Sequence, residues 1–96
     1  MLKHVVCFKM DSEENVTKAA EILRSMEGKV PALRGLEVGT DVLKSARSYD
    51  VYLCVLLDDE NALEDYQRDS YHCDVVKKFM HAHSAASVAV DFKTEA

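Results

Sequence analysis

Apolar and polar positions along the chain change period several times, and each change marks an element. Leu2 to Met10 is apolar at its centre, at Val5, Val6, Cys7 and Phe8, and reads as a strand. Asp11 follows, with Glu14 three residues on, the pattern of a capping box that starts a helix. Val16, Ala19, Ala20, Leu23 and Met26 then recur at helical spacing, so the helix is expected to run to about Gly28, with Gly28 and Pro31 ending it. Leu36 to Val42 predicts a second strand, interrupted by Gly39, and Tyr49 to Leu57 a third that is apolar at nearly every position. Asp58, Asp59 and Glu60 put negative charge where a second helix would start, and Ala62, Leu63 and Tyr66 share one face of it. Asp69 or Ser70 can cap a fresh helix running to about Ala82, and Ala85 to Phe92 closes the chain as a last strand.

The resulting order, β-α-β-β-α-β with a broken second helix, predicts an α+β fold of the ferredoxin-like arrangement on a four-stranded antiparallel sheet. Two helices cover only one face of such a sheet, so the other should be polar. The third strand contradicts this, because Val51, Leu53, Val55 and Leu57 alternate with Tyr52, Cys54 and Leu56. In the last strand Val88, Val90 and Phe92 alternate with Ala85, Ser87 and Ala89. A sheet apolar on both sides needs cover on both, and 96 residues leave no third layer. The expectation is a homodimer through the sheet face, closing a dimeric α/β barrel.

Length and charge narrow the class. Ninety-six residues make one domain, 1–96, with no linker. The net charge is -5 and the 12 basic residues are scattered, so neither a nucleic-acid footprint nor a basic membrane-binding helix is expected. The longest apolar run, Val51 to Leu57, is far shorter than a membrane span, and the chain reads straight into a strand without signal-peptide architecture. Cys7, Cys54 and Cys73 are odd in number and widely spaced, which argues against a disulfide framework and for a reduced, cytoplasmic protein.

Candidate chemistry lies between Tyr66 and His72. With His72 at zero on a regular helix, Val75 falls at about 300°, Val76 at about 40°, Phe79 at about 340° and Met80 at about 80°, so His72 sits within the apolar stripe. On one unbroken helix Tyr66 would lie about 240° away, and a break near Asp69 lets both side chains turn toward one interior space. A neutral imidazole there can accept a proton, and a phenol can orient it or hold a developing oxyanion. The bland reading is that the two simply complete a core. His4, sharing a strand face with Leu2, Val6, Phe8 and Met10, is a third inward imidazole. No metal is expected: on a helix Cys73 lies about 100° and His81 about 180° from His72, and His72, Cys73, His81 and His83 match no zinc spacing.

Lys3-His4, Pro31, Leu36-Glu37-Val38-Gly39-Thr40-Asp41, Tyr49-Asp50, Leu63-Glu64-Asp65-Tyr66, His72 and Val90-Asp91 occur together in order and spacing over nearly the whole chain. In this the sequence resembles the stress-responsive A/B barrel (Dabb) domain family. The resemblance implies a ferredoxin-like fold whose two copies press their sheets into an α+β barrel. The family includes a plant polyketide cyclase that closes an aldol ring without metal or organic cofactor. Its catalytic tyrosine and histidine match Tyr66 and His72, and its strand-one histidine matches His4. One departure stands out: the family's usual His-Pro-x-His is Asp69-Ser70-Tyr71-His72 here, which loses a rigid proline but keeps good capping residues. The expected protein is a cytoplasmic homodimer with a small apolar cavity lined by His4, Tyr66 and His72. That cavity would bind a small organic molecule, and if it catalyses a reaction, cofactor-free acid/base chemistry is the one expected. Two alternatives are a non-catalytic structural or stress-associated dimer and, by fold analogy, a cofactor-independent monooxygenase.

Overall fold

The alternation of strand β1 (Leu2–Met10) sets the layering of the computed structural model, which describes residues 1–94. Leu2, His4, Val6 and Met10 are buried on one side of β1. On either flank it pairs antiparallel with β3 (Val51–Leu57) and β4 (Ser84–Lys93), while β2 (Gly35–Thr40) pairs with β3. The sheet order β2-β3-β1-β4 makes this the ferredoxin-like fold.

Helix α1 (Glu13–Arg24) begins one residue later than its capping pattern predicts. Ser12, in extended backbone, is the N-cap, and its hydroxyl accepts from the Asn15 amide. Asp11 is diverted: its carboxylate accepts from the Asn15 side chain and pairs with His83 Nδ1 at 3.0 Å. The helix also ends at Arg24, short of Gly28, which lies in the following turn at a left-handed φ of 79°. Its apolar stripe is as predicted, with Val16, Ala19, Ala20 and Leu23 buried and Met26 continuing the cover from the turn. Strand β2 stops at Thr40 rather than Val42, because Asp41 turns the chain by accepting from the Lys44 amide and leaves Val42 92% exposed.

Helix α2 (Glu60–Arg68) is capped by Asp59, whose carboxylate accepts from the Ala62 amide. Asp69 then takes extended ψ and breaks the helix. Its side chain accepts from the His72 amide at 3.0 Å and its carbonyl from the Cys73 amide at 2.9 Å, which starts the next helical segment. That segment does not have α geometry throughout: His72–Lys77 is a π-helical turn, and regular α-helix resumes over Lys78–His83 (α3). A turn bonded i→i+5 advances each residue by less than the 100° of an α-helix. Val75 therefore lags out of the apolar stripe and is 40% exposed, while Val76 and Met80 stay buried.

Leu23, Met26, Val55, Leu57 and Tyr66 fill the space between helices and sheet, and each buried large side chain contributes about 1.5–3 kcal/mol. The helices do not extend over edge strand β4, where every residue after Ser84 is exposed. On the far face of the sheet, Val88, Val90 and Phe92 stand opposite Cys7, Val5 and Lys3, and all three remain 44–62% exposed.

Candidate functional site

Three elements bring the sequence-predicted residues together beneath the helices. His4 projects from β1 toward the helical layer, Tyr66 comes from the last full turn of α2, and His72 opens the π-helical turn. Tyr66 is fully buried and its ring contacts both imidazoles. Its ring centre is 4.3 Å from that of His72 and 5.7 Å from that of His4, the latter edge-on. The helix break at Asp69 makes this possible, since it frees the second segment from the rotation of the first.

The polar atoms of the three rings are served unequally. His4 Nδ1 bonds the carboxylate of Asp91, its register partner on β4. A carboxylate accepts, so Nδ1 carries the hydrogen. The Tyr66 hydroxyl donates to Met26 Sδ at 3.7 Å, and a thioether is a weak acceptor. His72 Nδ1 is buried with no hydrogen-bond partner among the described residues. The Gln67 carbonyl lies near enough to favour the protonated ring slightly, but outside bonding geometry.

Burial also fixes the charge states. Desolvation, reinforced by the Lys77 ammonium and His4, holds the His72 pKa below that of an ordinary histidine, against the opposing pull of Asp69. Desolvation, with the Asp69 charge adding to it, pushes the Tyr66 phenol well above the usual tyrosine range. At neutral pH the site thus holds a neutral imidazole beside a protonated phenol.

A cavity of about 130 Å³ adjoins these rings, walled by His4, Tyr66 and His72 with apolar neighbours such as Phe8, Leu23 and Leu53. Gln67, Lys77 and His81 also line it. A wider surface groove of about 460 Å³ follows Glu27 to Leu36, but it contains no buried titratable group, and Arg34 within it is already paired with Asp58. Among the described residues no three His, Cys, Asp or Glu side chains are placed to hold a metal ion. Nor is any helix among them long and apolar enough to cross a membrane.

Sequence reasoning missed Asp91, Lys77 and His81 as members of the site. Asp91 had a signal, a lone acid between Val90 and Phe92, but its pairing with His4 follows only from the β1–β4 register. Lys77 and His81 had none. At 100° per residue Lys77 falls about 140° from His72, and only the π-helical turn returns it to the same side.

A family model described as the stress responsive A/B barrel domain matches residues 2–94. No curated protein sequence matches the chain significantly. Among solved structures, a dimeric ferredoxin-like protein of unknown function from Thermobifida fusca is similar with TM-score 0.83 at 23% identity, covering 97% of this chain and 90% of that one. A dimeric protein of unknown function and ferredoxin-like fold from Bacteroides fragilis gives 0.82 at 19% identity, covering 97% and 95%. A hydroxynitrile lyase from Passiflora edulis gives 0.80 at 13% identity, covering 99% and 94%.

Proposed function

The chain belongs to the stress responsive A/B barrel domain family, and we propose that its cavity binds a small organic molecule on which His72, Tyr66 and His4 perform cofactor-free acid/base chemistry. One observation carries the reading: the buried, unpartnered Nδ1 of His72 beside a cavity. Buried polar atoms are nearly always satisfied, and an exception at a void lined by two more polar rings calls for a ligand. A volume near 130 Å³ is on the order of that which admits a benzene-sized group, so the bound part of the ligand is one ring or a short chain.

In the proposed reaction His72, kept neutral by burial, takes a proton from the carbon next to a substrate carbonyl. The electron pair moves onto the carbonyl oxygen. Tyr66 exchanges its weak bond to Met26 Sδ for a bond to that oxygen and stabilises the enolate without giving up its own proton. His72 then returns its proton to the product. His4, oriented by Asp91, forms the third polar wall. The hydroxynitrile lyase among the similar structures supports the reading by placing a lyase on the same fold. We further read residues 1–96 as one domain that works as a homodimer, its second copy covering Val88, Val90 and Phe92.

Deuterium wash-in at the α-carbon of small ketones, followed by proton NMR, tests the chemistry. The wild-type protein should accelerate exchange, and His72→Ala should lose about 10²–10⁴-fold of the acceleration, the usual contribution of a positioned base. Tyr66→Phe should retain binding but exchange more slowly. Equal rates in all three proteins would refute the assigned roles.

A further inference from the structure

We infer that the ligand of this cavity is a small carboxylate, held at its charged end by Lys77 with His81 beside it. The inference rests on the ligand-binding reading above and deepens it from any small organic molecule to an acid. Four observations carry it. First, Lys77 and His81 line the same cavity as His72. Second, Lys77 is half-buried, and no ion pair or hydrogen bond engages its ammonium among the described residues. Third, the acids near the cavity are committed elsewhere: Asp91 pairs with His4, and Asp69 caps the His72 amide. Fourth, the chain carries a net charge of -5, yet this lining combines one lysine with three imidazoles and no acidic side chain.

The π-helical turn gives the arrangement its cause. A regular helix would turn Lys77 away from His72 toward solvent, whereas an i→i+5 turn stacks the two at one wall. An ammonium beside a catalytic base lowers the base's proton affinity, and it does so here. An anionic group bound on Lys77 would offset that charge when the site fills. A carboxylate with its apolar body against side chains such as Phe8 and Leu23 and its charge on Lys77 suits both the apolar and the charged lining of the cavity.

The test uses benzoate and butyrate against their neutral counterparts benzyl alcohol and butanol. Each is titrated into wild type, Lys77→Gln and Lys77→Arg while the imidazole resonances of His72 are followed by NMR. The wild type should prefer each acid over its alcohol by about tenfold, within the range of a charge-assisted hydrogen bond. Bound acid should also raise the His72 titration midpoint. Lys77→Gln should abolish the preference while leaving the alcohols bound as before, and Lys77→Arg should keep it. Equal affinity of acids and alcohols in the wild type overturns the carboxylate inference but leaves the ligand cavity standing. A parallel loss of acids and alcohols in Lys77→Gln overturns it too, since Lys77 would then be structural. Absence of any His72 response to all four probes overturns the cavity reading itself.

Discussion

A buried nitrogen without a partner costs a fold about 1–3 kcal/mol, and His72 Nδ1 carries that cost on a ring that burial already keeps neutral. The same residue makes stability depend on pH in a direction that can be worked out. Its folded pKa lies below the ordinary histidine value, near 6.5, so between those two values the unfolded chain binds more protons than the folded one. Stability from this group is fully present above about pH 6.5 and falls as pH drops through that value toward the folded pKa. One proton limits the slope to about 1.4 kcal/mol per pH unit. Urea unfolding at about pH 7.5 and about pH 5.5 should therefore show a larger loss for the wild type than for His72→Asn, which removes the titration. Parallel losses would mean that His72 titrates alike in both states. Asp11, whose carboxyl is held low by Asn15 and His83, acts in a different window, since its contribution fades only as pH falls below the ordinary aspartate value of about 4. At this scale the inward placement of Tyr66, His72 and His4 was legible, because each shares a face with apolar residues at the right period. Asp91 was not, since a register bond between the two ends of the chain leaves no local trace.

The helix break is what turns separate residues into a site. Asp69 makes it with one side-chain and one main-chain bond, to the amides of His72 and Cys73. Asp69→Ala should cost about 1 kcal/mol, the usual worth of a capping side chain, and Asp69→Asn much less, because an amide oxygen can accept the same bond. Urea midpoints at unchanged slope measure both, and a cost-free Ala variant would show that the break persists without its cap. Composition made this break legible, since capping residues in mid-helix compete for backbone amides. The π-helical turn just after it was not legible. No residue type between His72 and Lys77 encodes an i→i+5 turn, which follows from fitting Val76 and Met80 to the core after the restart at Asp69. The misplaced Val75 and the overlooked Lys77 are two consequences of that one change of pitch. The element ends that were misjudged share another cause. At Ser12 and Asp41 several neighbouring residues can cap or turn the chain, and tertiary partners such as His83 decide among them.

For the molecule as a whole, the two faces of the sheet behave as their sequences require. The face toward the helices is closed over β1 and β3, while the other carries Val88, Val90 and Phe92 at 44–62% exposure beside Val5 and Cys7. Monomers rarely leave such a contiguous apolar patch to water. A second copy placing the same patch against this one is self-complementary and closes without generating a chain of contacts. Charge at the patch centre therefore tests the assembly better than truncation. Val90→Asp would bury a carboxylate without a partner in the dimer, yet in a monomer it stays in solvent at a position already 62% exposed. Light scattering coupled to size exclusion should find the wild type at twice the chain mass at about micromolar concentration, where specific interfaces of moderate affinity are occupied. Val90→Asp should elute near the mass of one chain while its circular dichroism stays native. Phe92→Ala should weaken association less, since it removes area without introducing charge. If wild type and Val90→Asp both run as single chains, the patch has some other occupant and the barrel does not form. If Val90→Asp stays dimeric, the copies meet elsewhere, and the exposed β4 edge beside His4 and Asp91 is the next surface to probe.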